Sequence, residues 1–245
     1  MVMTAQDFQT KEQIVELSLM AEIKRIYQRA ATRIIEIAKA HKGEKDFSWD
    51  KYPQLKKQAL EILREARVGV EAAMRKASAA VAELAAQMNE ELYDIPTGED
   101  EADEYNEELY GKTFRERLGR YSNSYLIEMA LIVAAGVSVT FAFVPGASAK
   151  VLSLGKKLPG IGRGDAGSSV KNIQRLTADV ARRIYHQTYF RAWKRHGVKG
   201  YEILRGSDYD CPICNTLPGK VYPMTEMILP AHVRCVCYAV PVKDY

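Results

Sequence analysis

All four cysteines of this 245-residue chain lie near its C-terminal end, close to a histidine. Their spacing is C-x2-C-x17-H-x2-C-x-C, and the five residues are Cys211, Cys214, His232, Cys235 and Cys237. Thiolates and imidazoles are the ligands that Zn2+ prefers, and a structural zinc site is usually closed by four of them. The spacing therefore predicts one structural zinc ion with five candidate ligands.

Two of the spacings are alike, which suggests how the ligands divide. Two residues separate Cys211 from Cys214, and two separate His232 from Cys235. This repetition favours two similar turns that face each other across the ion, with Cys237 as an additional thiol. In an extended strand, side chains two positions apart point to the same side, so Cys235 and Cys237 could exchange roles. Both alternatives stay open.

Two other interpretations of the cysteines compete with zinc binding. The four thiols could form two disulfides, or they could be ordinary small buried residues. Four cysteines in 245 residues is sparse for a disulfide scaffold, and the N-terminus shows no secretory signal. We therefore expect zinc rather than disulfides.

The order of features around the cysteines resembles a known family. A basic helix ends at Gly197, and a short strand precedes an aspartate and the sequence CPIC. A Gly-Lys turn, a proline two residues before His232, the sequence CVC and a final Pro-Val follow. From Ile173 to Val242 the chain is similar to the C-terminal module of the phage Mu F-like minor head proteins, the phage head morphogenesis family. One departure is Val236, where the family usually has arginine between the two cysteines.

The resemblance implies a function and a location. A minor head protein of this type lies inside the phage head near the portal, takes part in head morphogenesis, and is found in the host cytoplasm before assembly. Its partners would be the portal or the major capsid protein and double-stranded DNA, with a further role in DNA packaging or ejection. We expect no enzymatic activity and no membrane partner.

The charge distribution supports a phosphate-binding surface. From Phe141 to Arg205 the chain has thirteen Lys or Arg and three acidic residues, whereas Glu99 to Glu108 has seven acidic residues. Cations at a helix C-terminus are favoured by the helix dipole, which accounts for some of the basic residues. The remainder predict non-specific binding of DNA, or of an acidic protein, by six side chains. These are Arg182, Arg183, Arg191, Lys194, Arg195 and Lys199.

Hydrophobic periodicity predicts a mainly α-helical protein, a bundle of long helices with a small C-terminal zinc-stabilised β-hairpin module of α+β type. Five helical segments are expected, over residues 4–42, 53–93, 109–121, 126–144 and from Ser168 or Ser169 to about 196, and the fourth could change to a strand at 137–144. Ile14 and Leu17 belong to the predicted inner face of the first. The domains would be a helical domain at 1–145, a flexible Gly/Ser/Lys-rich loop at 146–168, and the basic helix with the zinc module at 169–245.

Two alternative functions remain open. The apolar run at 126–144 is nearly long enough to span a bilayer, which would suit a membrane-active genome-delivery protein, although Glu128 and several small residues favour a buried helix. A zinc-stabilised, metal-dependent nuclease could combine His232 with Asp208 and Asp210. The objection is that one histidine cannot easily serve both as zinc ligand and as general base.

Overall fold

A computed structural model describes residues 3–98, 111–136, 168–225, 227–232 and 234–242. The described chain is mainly helical, with a small antiparallel sheet at its C-terminal end, which confirms the predicted fold class. The helices are α1 (Ala5–Ile37), α2 (Pro53–Tyr93), α3 (Phe114–Ala135) and α4 (Ser168–Arg195). The strands are β1 (Gly200–Leu204), β2 (Val221–Pro223) and β3 (Tyr238–Val242). Short 3-10 turns occur at Lys39–His41, Trp49–Lys51 and Cys214–Thr216.

The ends of the helices follow local sequence signals. Helix α2 begins with Pro53, whose fixed φ suits the first turn. Helix α3 begins with a capping box, in which the backbone N–H of Thr113 donates to Glu116 at 2.7 Å and the backbone N–H of Glu116 donates to Thr113 at 3.3 Å. Helix α4 stops before Gly197, whose φ of 76° is the left-handed conformation common after a helix.

Two predicted helices have bounds that differ from those in the structure. Helix α1 ends at Ile37 rather than at residue 42, because a 3-10 turn and the left-handed Gly43 (φ 88°) follow it. Helix α3 begins at Phe114 rather than at 109 and continues to Ala135, so the first half of the apolar run is helical and joins the core. Residues 137–144 of that run lie outside the described residues.

The chain forms two compact units. Unit 1 is formed by the described residues within 1–20, 74–107 and 175–245, and unit 2 by the described residues within 21–73 and 108–174. Unit 1 thus joins residues from both ends of the chain. The predicted division into domains at 146–168 falls, except for its last residue, outside the described part of the chain and stays a prediction.

Each unit has its own core with buried polar links. In unit 1, the indole N–H of Trp193 donates to Asn89 at 2.7 Å, and both side chains are fully buried. In unit 2, the indole N–H of Trp49 donates to the carbonyl of Leu126 at 2.7 Å. The hydroxyl of Tyr27 is 2.7 Å from that of Ser122. Such hydrogen bonds satisfy polar atoms that would otherwise destabilise the core.

The strands of the C-terminal sheet are arranged in the order β2-β1-β3. The central strand β1 pairs antiparallel with β2, with Tyr201 opposite Tyr222, and antiparallel with β3, with Tyr201 opposite Pro241. The predicted hairpin is therefore extended by a third strand. The segment between β2 and β3 contains His232, Cys235 and Cys237, so the sheet holds both ends of the segment that carries these donors.

The buried face of α1 differs from the predicted one. Ile14 and Leu17 are 57% and 65% exposed, so their assignment to the inner face is wrong. The buried residues at helical spacing are Phe8, Glu12, Glu16, Leu19, Ile23, Tyr27, Ala30 and Ile34. This stripe includes two carboxylates. A rule that places only apolar residues in the core therefore predicts the wrong buried side for the first four turns of the helix.

Candidate metal centre

The first cysteine pair lies on a tight turn that leads into the 3-10 helix at 214–216. The backbone N–H of Asn215 donates to the carbonyl of Cys211 at 2.9 Å. The backbone N–H of Cys214 is directed at the sulfur of Cys211 at 3.5 Å. This N–H group is the main reason why the pKa of Cys211 lies below its usual value. The turn therefore favours the thiolate form, which is the form that binds a metal ion.

A second turn holds the histidine and the next cysteine. The backbone N–H of Cys235 donates to the carbonyl of His232 at 3.0 Å. Between them, Arg234 has a φ of 65°, in the left-handed region that side-chain-bearing residues seldom adopt. The two-residue spacing thus produces a tight turn at both places, as the repeated spacing predicts.

The two turns bring the five donors together. Nε2 of His232 lies 3.2 Å from the sulfur of Cys211 and 3.0 Å from that of Cys214. The sulfurs of Cys214 and Cys235 are 3.7 Å apart. The donors form two groups of three that share Cys214: one with Cys211 and His232, the other with Cys235 and Cys237. Either group could hold a metal ion.

These distances are compatible with tetrahedral coordination. With Zn–S near 2.3 Å and Zn–N near 2.0–2.1 Å, a tetrahedral site places two sulfurs about 3.8 Å apart and a sulfur and a nitrogen about 3.6 Å apart. The Cys214–Cys235 distance matches the first value. The sulfur–nitrogen distances of His232 are slightly shorter, so a small outward shift of the ring would admit an ion. The cysteines are free thiols, and the disulfide interpretation finds no support in the structure.

The last two cysteines differ in acidity. A hydrogen bond with the Cys237 thiol is the largest influence on Cys235, and it lowers the pKa of Cys235 to about 5. The same hydrogen bond raises the pKa of Cys237. Both sulfurs belong to buried residues. This hydrogen bond therefore favours the thiolate form of Cys235 over that of Cys237.

Near the first turn, two backbone segments approach each other closely at Gly206, a residue whose role was not predicted from the sequence. A Cβ placed on Gly206 would lie 1.8 Å from the carbonyl oxygen of Val236. No side chain fits there unless the backbone beside Cys235 and Cys237 moves. Next to it, the Arg205 guanidinium donates to the side chain of Asn215 and to the carbonyl of Tyr209, which ties strand β1 to the first turn.

Arg182 supports the second turn from inside the protein. Its guanidinium donates to the carbonyl of Cys235 and to Glu16, and its Nε lies 3.5 Å from Glu12. The residue is only 3% exposed, so it cannot contact DNA, and the prediction that it does so is corrected. Neither glutamate was identified from the sequence, because a carboxylate in an otherwise apolar helix face gives no sign of its partner.

The two glutamates and Arg182 form a buried cluster with more acids than bases. Burial is the largest influence on both carboxyls and raises the pKa of each. For Glu16, repulsion from Glu12 adds to burial, and the pKa rises to about 9. At neutral pH, the cluster therefore retains a proton that offsets one of the two negative charges.

The other predicted DNA-binding residues occupy different environments. Arg183 is half-buried, with its Nε 3.3 Å from the carboxylate of Asp179, and Arg191 is also half-buried. The exposed residues are Lys194 and Arg195 in the last turn of α4 and Lys199 just after it. Of the six predicted residues, the structure therefore leaves these three exposed, at the end of the helix.

The nuclease alternative gains no geometric support. Nε2 of His232 faces two sulfurs, where it would bind the metal rather than accept a proton from water. Asp208 and Asp210 are exposed, and Asp210 accepts a hydrogen bond from Asn215 at 2.6 Å. In the described segments, no helix has the length and apolar character needed to cross a membrane.

No family model, curated protein or solved structure matches the chain in comparisons of its sequence and fold.

Proposed function

We propose that the cluster holds one structural Zn2+ through Cys211, Cys214, His232 and Cys235. The four donors lie on two facing turns, and the distance between the sulfurs of Cys214 and Cys235 suits tetrahedral zinc. Cys237 is the fifth donor, which lies beside Cys214 and Cys235 but is not one of the four proposed ligands. A site closed by four protein ligands has no open position for substrate, so its role is to stabilise the surrounding loops.

This ligand set is tested by single substitutions. We expect one zinc per chain in metal-replete wild-type protein and in Cys237→Ser, because the serine variant keeps all four ligands. Cys235→Ser should bind zinc much more weakly, since it removes a ligand. Elemental analysis with a chelator competition measures both quantities. Loss of zinc from Cys237→Ser and retention by Cys235→Ser would assign the fourth position to Cys237 instead.

We propose further that the protein is a phage minor head protein, located inside the head near the portal, that takes part in head morphogenesis. The observation that supports this function is the order of parts in the C-terminal module. A basic helix, α4, leads into a small sheet whose connections carry the clustered Cys and His donors. This is the order that the resemblance to the Mu F-like proteins implies. A structural metal centre suits an assembly role, because it stabilises a folded contact surface and takes no part in a reaction.

The assembly role is tested by co-expression with the portal protein encoded in the same phage or prophage. We expect the two proteins to copurify as a complex with portal rings. The complex should depend on zinc, because chelation removes the support of the C-terminal module. A protein that does not associate with portal or with capsid protein, and that is missing from purified virions, would contradict the proposal.

The exposed basic end of α4 leads us to propose weak, sequence-independent DNA binding. Neutralising Lys194, Arg195 and Lys199 with glutamine should lower the affinity and reduce the slope of log K against log salt by about 3, because each phosphate contact releases counterions. The three cations are replaced in one variant, and binding to duplexes of unrelated sequence is measured by fluorescence anisotropy over a range of salt concentrations.

The matched control replaces three exposed cations of α1, Lys24, Arg25 and Arg29, with glutamine. This variant has the same net charge but keeps the basic end of α4, so its salt slope should equal that of the wild type. Equal slopes in all three proteins would contradict the assigned surface. The nuclease alternative predicts Mg2+-dependent nicking of supercoiled DNA, and we expect none.

A further inference from the structure

A groove in unit 1 lies beside the metal loop, which is the connection between β2 and β3 that carries His232, Cys235 and Cys237. Its volume is about 310 Å3, at the small end of the range for ligand-binding pockets. Helices α1 and α4 and the loop that carries the second pair of donors each form part of its lining. The apolar lining includes Leu17, Met20, Ala178 and Val236. Space of this size accommodates a few side chains of a larger partner.

The apolar surface continues along α1 beyond the groove. Leu17 is 65% exposed, and Ile14, one turn earlier on the same side of the helix, is 57% exposed. Isolated exposed apolar residues are common, but a strip that continues into a groove is typical of an interaction site. Because the strip runs along a helix, it suits an elongated ligand such as a peptide segment rather than a compact small molecule.

The uncompensated charge of the groove is positive. Of its acidic lining residues, Glu16 is bonded by Arg182 and Asp179 by Arg183. Arg175, from α4, and Arg234, from the metal loop, also line the groove and are exposed. Within the ranges that the structure describes, neither arginine forms an ion pair. Two arginines at the border of an apolar groove are complementary to carboxylates.

The backbone of Arg234 gives an independent indication. Its left-handed φ of 65° costs roughly 1 kcal/mol or more for a residue with a side chain, and such strain is concentrated at functional sites. Glycine would adopt this conformation without that cost. Contact of the Arg234 side chain with an anionic ligand would offset the strain of its backbone.

We propose that this groove docks an acidic amphipathic segment of a protein partner. Apolar side chains of the segment pack on Leu17 and the strip that leads to it, and its carboxylates pair with Arg175 and Arg234. The phosphates of DNA could pair with the two arginines, but DNA would leave the apolar strip exposed to water. The inference does not depend on the phage assignment. It requires only that the metal loop keeps Arg234 in place.

The test uses the full-length, metal-replete protein and a fluorescein-labelled synthetic helix with leucines on one face and glutamates on the other. We expect saturable binding by fluorescence anisotropy. Affinity should fall roughly tenfold or more in Leu17→Gln and in the double variant Arg175→Gln with Arg234→Gln, because central apolar and arginine contacts dominate most interfaces. A peptide with lysines in place of the glutamates should bind at least tenfold more weakly.

Matched controls replace an exposed leucine and an exposed arginine of α2, in Leu60→Gln and Arg64→Gln, and should bind the acidic peptide as the wild type does. Zinc content is measured for every variant, so failure of the metal proposal is distinguished from failure of this one. The proposal is overturned by absence of saturable binding, by affinity that the groove variants do not change, or by Leu17-dependent self-association in sedimentation, which would assign the groove to a second copy of the chain.

Discussion

Removal of the proposed zinc ion is expected to unfold the C-terminal module while unit 2 keeps its helices. The three strands have at most five residues each, and β2 has no buried residue. Such short strands stabilise the long connections between them only weakly. Structural zinc supplies roughly 10 kcal/mol or more of apparent binding free energy, which becomes folding free energy when the unfolded chain has no preformed site. The connections at 205–220 and 224–237 should therefore depend on the ion.

Hydrogen exchange with mass spectrometry measures this effect segment by segment. After chelation, or in Cys214→Ser, peptides from 200–242 should exchange rapidly, whereas peptides from 21–73 and 111–136 should keep their protection. Cys214 is chosen because both donor groups include it. Cys237→Ser is the matched control, because it removes a thiol and leaves the four proposed ligands. Loss of protection throughout unit 2 at the same chelator concentration would show that the two units unfold together.

Replacing Arg182 with methionine is expected to destabilise the protein by about 3–5 kcal/mol, because it leaves two buried carboxyls without their cation. The matched control is Arg33→Met, which removes an arginine from an ion pair with Glu65 whose side chains are both 54% exposed. An exposed pair of this kind contributes little to stability, because water screens its charges. Denaturant unfolding of metal-replete protein measures both changes. Equal, small effects in the two variants would contradict the structural role of Arg182.

The same substitution should weaken zinc binding. Arg182 donates to the carbonyl of Cys235, and without this hydrogen bond the second turn loses its support from α4. Chelator competition should show a lower zinc affinity in Arg182→Met than in Arg33→Met. Adding Glu12→Gln and Glu16→Gln to the methionine variant should restore part of the stability, because it removes the buried charge, but should not restore the zinc affinity.

The buried cluster also sets a pH dependence. The pKa of Glu16 rises from 4.5 to about 9 on folding, so between these values the folded protein binds more protons than the unfolded chain. The free energy of unfolding therefore decreases as pH rises, by at most about 1.4 kcal/mol per pH unit. The difference in stability between wild type and Glu16→Gln should show this decrease between pH 7 and 9. A difference that stays constant would mean that Glu16 is ionised in the folded protein.

Local sequence signals determined the helices and the donor cluster. Pro53 and Gly197 mark the start of α2 and the end of α4 because their effect on φ acts within one turn. The Cys and His spacing predicted the cluster for the same reason. Two residues between donors are enough to form a tight turn. Two such turns that face each other supply the four ligands of a structural metal site. The ion itself, the phage assignment and the DNA surface remain proposals.

Only the tertiary structure decided which face of α1 is buried and what supports the metal loop. Glu12 and Glu16 lie inside because Arg182, more than 160 residues later in the chain, pairs with both. Gly206 is required because the carbonyl of Val236 approaches it, and no spacing rule connects the two. Burial of a charge depends on its partner, and the partner is known only when the chain has folded. For that reason the sequence placed Ile14 and Leu17 in the core, whereas the structure places both at the surface, with Leu17 in the lining of the groove.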